Sequence, residues 1–410
     1  MPLVIASSIL GVVGGCVDRS DVGGFGADAG ERPSEGGSEG GISNEAGGTD
    51  AEAGGVTITV DPSTTRIAAG GLSNCAVDSK GGARCWGDNA HGSLGSGSFS
   101  PVVSQAAVAV FGLSSGVRAV AGGPFAQCAI LVDGSARCWG SSLFGDIAGT
   151  GTTESVDMPK PHDKMGLSND VAQITFGVSF GCALTTKGRA KCWGLGGAGQ
   201  LGTGSTTDEV VARDVAGLDE PSVHISASMG GVFACAATAS GKVRCWGDNG
   251  ERQLGTATPK VALPSPVEGL DPNVTAVGAG RAHACALYKD GGVACWGSNA
   301  RAQLGTGQPG APSPAQKVAG VASAIKLYVG MDHSCAMVAD GTTLCWGSNL
   351  KGEVGPAAGP LAPTVTFPAT FGAVSVSLGF NHTCAINAQG MVGCVGDGTR
   401  KQTGDTGFSL

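Results

Sequence analysis

Cysteine is the residue type in this 410-residue chain with the most chemistry to offer, because a thiolate can attack an electrophile, ligate zinc or close a disulfide. There are fifteen: Cys16, then seven pairs in which the second Cys always lies ten residues beyond the first. A zinc knuckle needs a much closer pair, and no C-x-x-C occurs in the chain. Six residues after every first Cys stands a glycine, at Gly81, Gly134, Gly188, Gly241, Gly291, Gly341 and Gly390. A three-residue hairpin loop, a type I turn closed by a residue with positive φ, wants Gly at its third position. Counting outward from such a loop sets the two cysteines opposite each other in a non-hydrogen-bonded pair, where Cα atoms are about 4.5 Å apart.

The spacing therefore predicts seven disulfides within their own hairpins: Cys75–Cys85, Cys128–Cys138, Cys182–Cys192, Cys235–Cys245, Cys285–Cys295, Cys335–Cys345 and Cys384–Cys394. Closing an eleven-residue loop stabilises by roughly 2.8 kcal/mol in the chain-entropy model. So many paired cysteines fit an oxidising compartment better than a reducing cytosol.

Other chemistry is sparse. His283, His333 and His382 each stand two residues before the first Cys of a pair, where other pairs have Ser73, Ala126, Phe180 and Phe233. A position filled by either His or Phe reads as a packing position, not as a base or a metal ligand. His91, His162 and His224 are scattered, without an H-E-x-x-H. The Asp133-Gly134 to Trp139 phrase approaches a sialidase Asp box but has the wrong gaps, and glycosidase chemistry needs paired carboxylates or a tyrosine nucleophile. No P-loop, nucleophile elbow or dinucleotide fingerprint is present. The expectation is a noncatalytic protein with no cofactor and no metal.

The elements that carry the cysteines repeat. Successive second cysteines are 53, 54, 53, 50, 50 and 49 residues apart. Six of the seven are followed by Trp-Gly, which uses every tryptophan in the chain, and Val395 takes that place in the seventh. Each unit tends to a G-x-L-G-x-G phrase beyond it, as at Gln200 to Gly204 and Gln303 to Gly307. Strand-like runs such as Val117 to Ala121 and Val108 to Leu113 precede the hairpin, so each unit reads as about four short antiparallel strands. With 73 glycines and 41% hydrophobic residues, the composition suits a turn-rich all-β chain with a real core. Net charge is −8, which argues against nucleic acid as a partner. Seven such sheets bury their faces best as a seven-bladed β-propeller, and a linear solenoid is the alternative. The seventh unit lacks a final strand while Val56 to Val60 is one too many at the front, so that segment is expected to join the last blade and close the ring.

The phrase Cys285 to Asn299, continuing to Gln303-Leu304-Gly305, resembles the repeat of the regulator of chromosome condensation family, and it recurs in all seven units over about residues 56 to 410. The resemblance implies a seven-bladed propeller. The paired cysteines depart from the family's eukaryotic members, so its nuclear exchange role is not expected. Bacterial members that resemble this chain are secreted or envelope proteins, and one branch inhibits β-lactamases.

Residues 1 to 15 are expected to be a lipoprotein-type signal peptide, because the uncharged apolar stretch Pro2 to Gly15 is followed by Cys16 in a context that resembles a lipobox. Cys16 is then the lipid attachment site. Residues 16 to 55 read as a flexible Gly/Ser-rich tether, with nine acidic residues against two basic ones from Val17 onward, a net of −7. Residues 56 to 410 read as the propeller. The expected role is an interaction scaffold outside the cytoplasm, in the bacterial envelope or secreted, that binds a protein or polysaccharide. It is expected to be monomeric and to touch membrane only through the anchor; the alternative is an inhibitor of a β-lactamase or other cell-wall enzyme. The segments least like their counterparts are the candidate binding loops: Ser141 to Gly166, with Phe144, Met158, His162 and Met165, and then Ser96 to Gln105.

Overall fold

A computed structural model describes residues 66–141, 157–164, 166–355, 361–366 (backbone only) and 372–404. These fold into seven consecutive antiparallel sheets, the blades of a propeller. Blade one comprises β1 (Ile67–Ala69), β2 (Ser73–Val77), β3 (Ala83–Asp88) and β4 (Val103–Ala109), from the axis outward. Blade two comprises β5 (Val117–Gly122), β6 (Ala126–Leu131), β7 (Ala136–Gly140) and β8 (Met158–Asp163). Blades three to six repeat this pattern, and blade seven has three strands among the described residues, ending with Val392–Gly396. Val56 to Val60, Cys16 and the tether lie outside the described residues.

The local hairpin follows from the Cys-Gly spacing. In blade one the Asp78 N–H donates to the Gly82 carbonyl at 2.8 Å and the Gly81 N–H to the Asp78 carbonyl at 3.0 Å, which closes a three-residue loop. The seven loop glycines all take φ between 76 and 85°, a region that costs a side chain strain. Cysteines pair directly across every hairpin, with Cα atoms 4.0–4.1 Å apart, and seven disulfides join them.

The outermost strands lie earlier in the chain than the apolar runs suggest. In blade one the outer strand is Val103–Ala109, not Val108 to Leu113, and in blade five it is Gly310–Lys317. The run of valines and leucines beyond each strand has another job: Val110 and Leu113, and likewise Val318 and Val321, turn inward and are buried between blades. Apolar content marked the core segment there, while the exposed outer strand is chemically plain.

The core is a series of junctions. All six indoles are wholly buried, and each packs against the disulfide of the preceding blade, as Trp139 does on Cys75 and Cys85. Four indole N–H groups also donate back into the preceding blade's G-x-L-G loop: Trp139 to the Ser93 carbonyl at 3.0 Å, Trp246 to Gln200 at 2.9 Å, Trp296 to Gln253 at 2.9 Å and Trp346 to Gln303 at 3.1 Å. Trp86 donates to the Gln402 carbonyl at 3.0 Å, and this bond ties the first blade to the last. The repeated Trp and G-x-L-G phrases are two halves of one inter-blade contact.

Candidate interaction surfaces

The chain offers three places where a ligand could sit: the axial channel, the outer rim and the two faces. The channel is a cavity of about 560 Å³ walled by the innermost strands. Those strands present backbone edges to the cavity, and short polar side chains cover them. The Ala227 N–H donates to Thr175 Oγ1 at 3.1 Å, the Ala279 N–H to Ser226 Oγ at 3.0 Å and the Ala69 N–H to Ser377 Oγ at 2.8 Å. Gln173 both accepts from the Ile225 N–H and donates to the Ile225 carbonyl. The channel's polar groups are largely spent on joining neighbouring blades.

A second polar ring lies between the blades. His283, His333 and His382 are wholly buried. Their Nε2 atoms meet Ser334 Oγ at 2.9 Å, Thr383 Oγ1 at 2.9 Å and Asn74 Oδ1 at 2.7 Å, each on the next blade. Burial pushes His283 and His333 down to about 3 and His382 to about 4, so all three are neutral at ordinary pH. Phe180 and Phe233 fill the same position where the next blade offers Ala234 and Ala284. Whether His or Phe stands there follows the partner across the junction, and the histidines serve as packing side chains with a bridge.

Of the four candidate loop residues, Phe144 and Met165 lie outside the described residues. The other two are on a strand, not a loop. Met158 opens β8 and is buried, and His162 is exposed further along β8, across from Cys138. The end of this irregular stretch pairs as an ordinary outer strand because Met158 faces the core. The structure does bring the two variable stretches together, since the Gly97 N–H donates to the Pro159 carbonyl at 2.7 Å, and just before the second stretch His91 Nδ1 lies 2.9 Å from Asp157 Oδ2. Phe99 and Val102, in the second stretch, are 45% and 58% exposed.

One surface went unseen in the sequence. In every unit a glycine stands five residues before the first Cys, and the loop after it joins the innermost strand to the next one at one mouth of the channel. A Cβ at Gly280 or Gly379 would lie 2.3 Å from the ring of His283 or His382, so only glycine permits this tight turn. The loops are joined to one another by backbone bonds, among them Gly71 N–H to Gly123 carbonyl, Val178 to Gly231, Arg281 to Met331 and Met331 to Gly379. Their tips carry half-buried Leu72, Phe125, Val178, Val232, Met331 and Phe380. A seven-glycine signal was legible; the apolar collar was not, because its members differ from unit to unit.

The opposite face presents the disulfide hairpins, whose turns are polar. Asp133 and Asp340 hold their carboxyls below the usual range by accepting from Ser135 and Thr342. Among the described residues no group of three or more His, Cys, Asp or Glu is placed to hold a metal ion. No helix among them is long and apolar enough to cross a membrane.

Comparison with known proteins agrees with this geometry. Models of the regulator of chromosome condensation (RCC1) repeat match residues 171–200, 223–253 and 274–303, and, for a second model, 240–287. The chain is 32% identical over 221 residues to the human E3 ubiquitin-protein ligase HERC2, covering 53% of this chain and 4% of that protein. It is 28% identical over 221 residues to the mitochondrial RCC1 domain-containing protein RUG3 of Arabidopsis thaliana, covering 52% of this chain and 49% of that one. The chain thus spans less than half of either relative. Human WBSCR16 superposes with a TM-score of 0.68 at 18% identity, over 77% of this chain and 84% of that one. Prp20p of Saccharomyces cerevisiae gives 0.65 at 21% identity, over 77% and 80%. These four proteins are eukaryotic. The chain carries regulator of chromosome condensation repeats, folded as a seven-bladed β-propeller.

Proposed function

We propose that this chain is a noncatalytic protein-interaction scaffold that works in an oxidising compartment outside the cytoplasm. The observation that carries this reading is the contrast between a repeated frame and unrepeated tips. Disulfide, indole and backbone bonds recur at junction after junction, while the side chains at one channel mouth change from Val178 to Arg281 to Met331 to Phe380. A stiff frame that varies only in what it displays lowers the entropy cost of binding. Protein is favoured over polysaccharide because all six indoles are buried in the junctions, which leaves none to stack on sugar rings.

Seven disulfides support an oxidising setting. Under this reading Cys16 carries the lipid, the tether holds the propeller off a bacterial envelope, and Cys16→Ala releases the protein from membranes. Cross-linking of the full chain in its native envelope, followed by mass spectrometry, tests the scaffold reading, with a β-lactamase inhibition assay and a glycan array beside it. Reproducible cross-links to one protein support it. Inhibition of a β-lactamase assigns the inhibitor role instead, and glycan binding without a protein partner overturns the preference for protein.

A further inference from the structure

We infer that the apolar collar at the indole-stapled mouth of the channel is the docking surface, and that its occupant is a polypeptide segment presenting an apolar side chain next to a carboxylate. This rests on the scaffold reading above and names its surface and partner chemistry. Two of the collar's side chains reach across blades. Phe380 of blade seven lies over Gly71 of blade one, where an added Cβ would stand 3.0 Å from its ring. Met331 of blade six reaches to Gly230 of blade four, where an added Cβ would stand 2.9 Å from its Cγ. The two side chains thus extend from their own loops onto those of other blades. Burying such side chains under a partner removes apolar area from water at about 25 cal/mol per Å².

The carboxylate is specified by an imbalance beside Met331. Asp332 accepts from Arg281 at 3.1 Å and forms an ion pair with Arg301 at 3.4 Å, so two guanidinium groups share one carboxylate. Asp332 is nearly buried, at 8% side-chain exposure, while the arginines keep 29% and 36%. One positive charge and several N–H donors stay open to solvent at the edge of the collar. A planar guanidinium fork suits a second carboxylate better than any neutral group. The pair is already held in place by Asp332, so a partner's carboxylate meets an ordered site.

The test is selection of random dodecapeptides on phage against the full oxidised chain. Enriched peptides are expected to carry an apolar residue within two positions of Asp or Glu. Their binding is expected to fall about tenfold or more with Met331→Glu and with Phe380→Ser, and to be unchanged by Asp133→Lys on the opposite face. If Met331→Glu fails to fold by circular dichroism, a second arm decides. Changing the peptide's acidic residue to its amide is expected to weaken binding about tenfold on the native chain and to make little difference on Arg301→Gln. Peptides that keep full affinity for Met331→Glu and Phe380→Ser, or whose amide form loses as much on Arg301→Gln, overturn the collar while leaving the scaffold reading intact. Failure of any peptide to enrich counts against both.

Discussion

Acid should dismantle this propeller through its buried histidines, three of them at blade junctions, well before its carboxylates matter. His283, His333 and His382 are buried and neutral, with pKa pushed down to about 3, 3 and 4, against an ordinary value near 6.5. The unfolded chain therefore binds more protons below pH 6.5 than the folded one, and stability rises with pH across that window. The histidine contribution is fully present above about pH 6.5 and is lost as pH falls toward the folded values. Each pH unit below 6.5 costs about 1.4 kcal/mol per histidine until its folded pKa is approached. At pH 4.5 that amounts to on the order of 8 kcal/mol for the three together, comparable with the whole stability of a typical domain.

The molecule supplies the control, because Phe233 stands where His283 does and faces Ala284 in place of Ser334. A variant with His283→Phe, Ser334→Ala, His333→Phe and Thr383→Ala copies that arrangement at two junctions without orphaning a hydroxyl. Urea unfolding at pH 7.5, 5.5 and 4.5 should show the native midpoint falling steeply and the variant keeping about half of the pH slope, carried by His382 and by His224, which burial also pushes down to about 4. Equal slopes in the two proteins would refute the assignment of acid sensitivity to these junctions.

Other consequences are as direct. Thirteen of the fourteen paired cysteines are wholly buried and Cys394 is half-buried, so dithiothreitol on the folded protein should open Cys384–Cys394 first, read by alkylation and peptide mapping. Simultaneous reduction of all seven would show that burial does not govern access. Gly134→Ala should destabilise more than Gly81→Ala, because both have positive φ but the new methyl at 134 meets the Asn169 carbonyl oxygen at 2.4 Å and at 81 nothing nearer than 3.5 Å. Thermal melts should separate them by more than about 1 kcal/mol, and the reverse order would contradict the packing. Blade seven shows three strands among the described residues, and Val56 to Val60 is the segment proposed to complete it. Deleting residues 56 to 60 should lower the melting temperature of the whole domain in one cooperative step, and an unchanged melt would exclude that closure.

What the sequence determined by itself is what depends on near neighbours. Ten residues from Cys to Cys with Gly at the sixth leave one hairpin register, since the loop type sets which residues face each other. That fixes the blade's central strands, and counting seven units leads to the ring. Repetition also made Trp and G-x-L-G visible as necessary, though not as partners.

The tertiary structure decided everything that crosses a junction. The indole of Trp86 finds the Gln402 carbonyl 316 residues away, and His382 finds Asn74 at a separation of 308. Neither distance has a trace in local pattern, because ring closure alone makes the last blade a neighbour of the first. The same holds for the burial of Met158, which looked like an irregular loop residue until its strand docked on β7. It holds above all for the collar. Leu72, Phe125, Met331 and Phe380 share no one residue type and no sequence neighbourhood, and only seven loops drawn to one axis make them a surface.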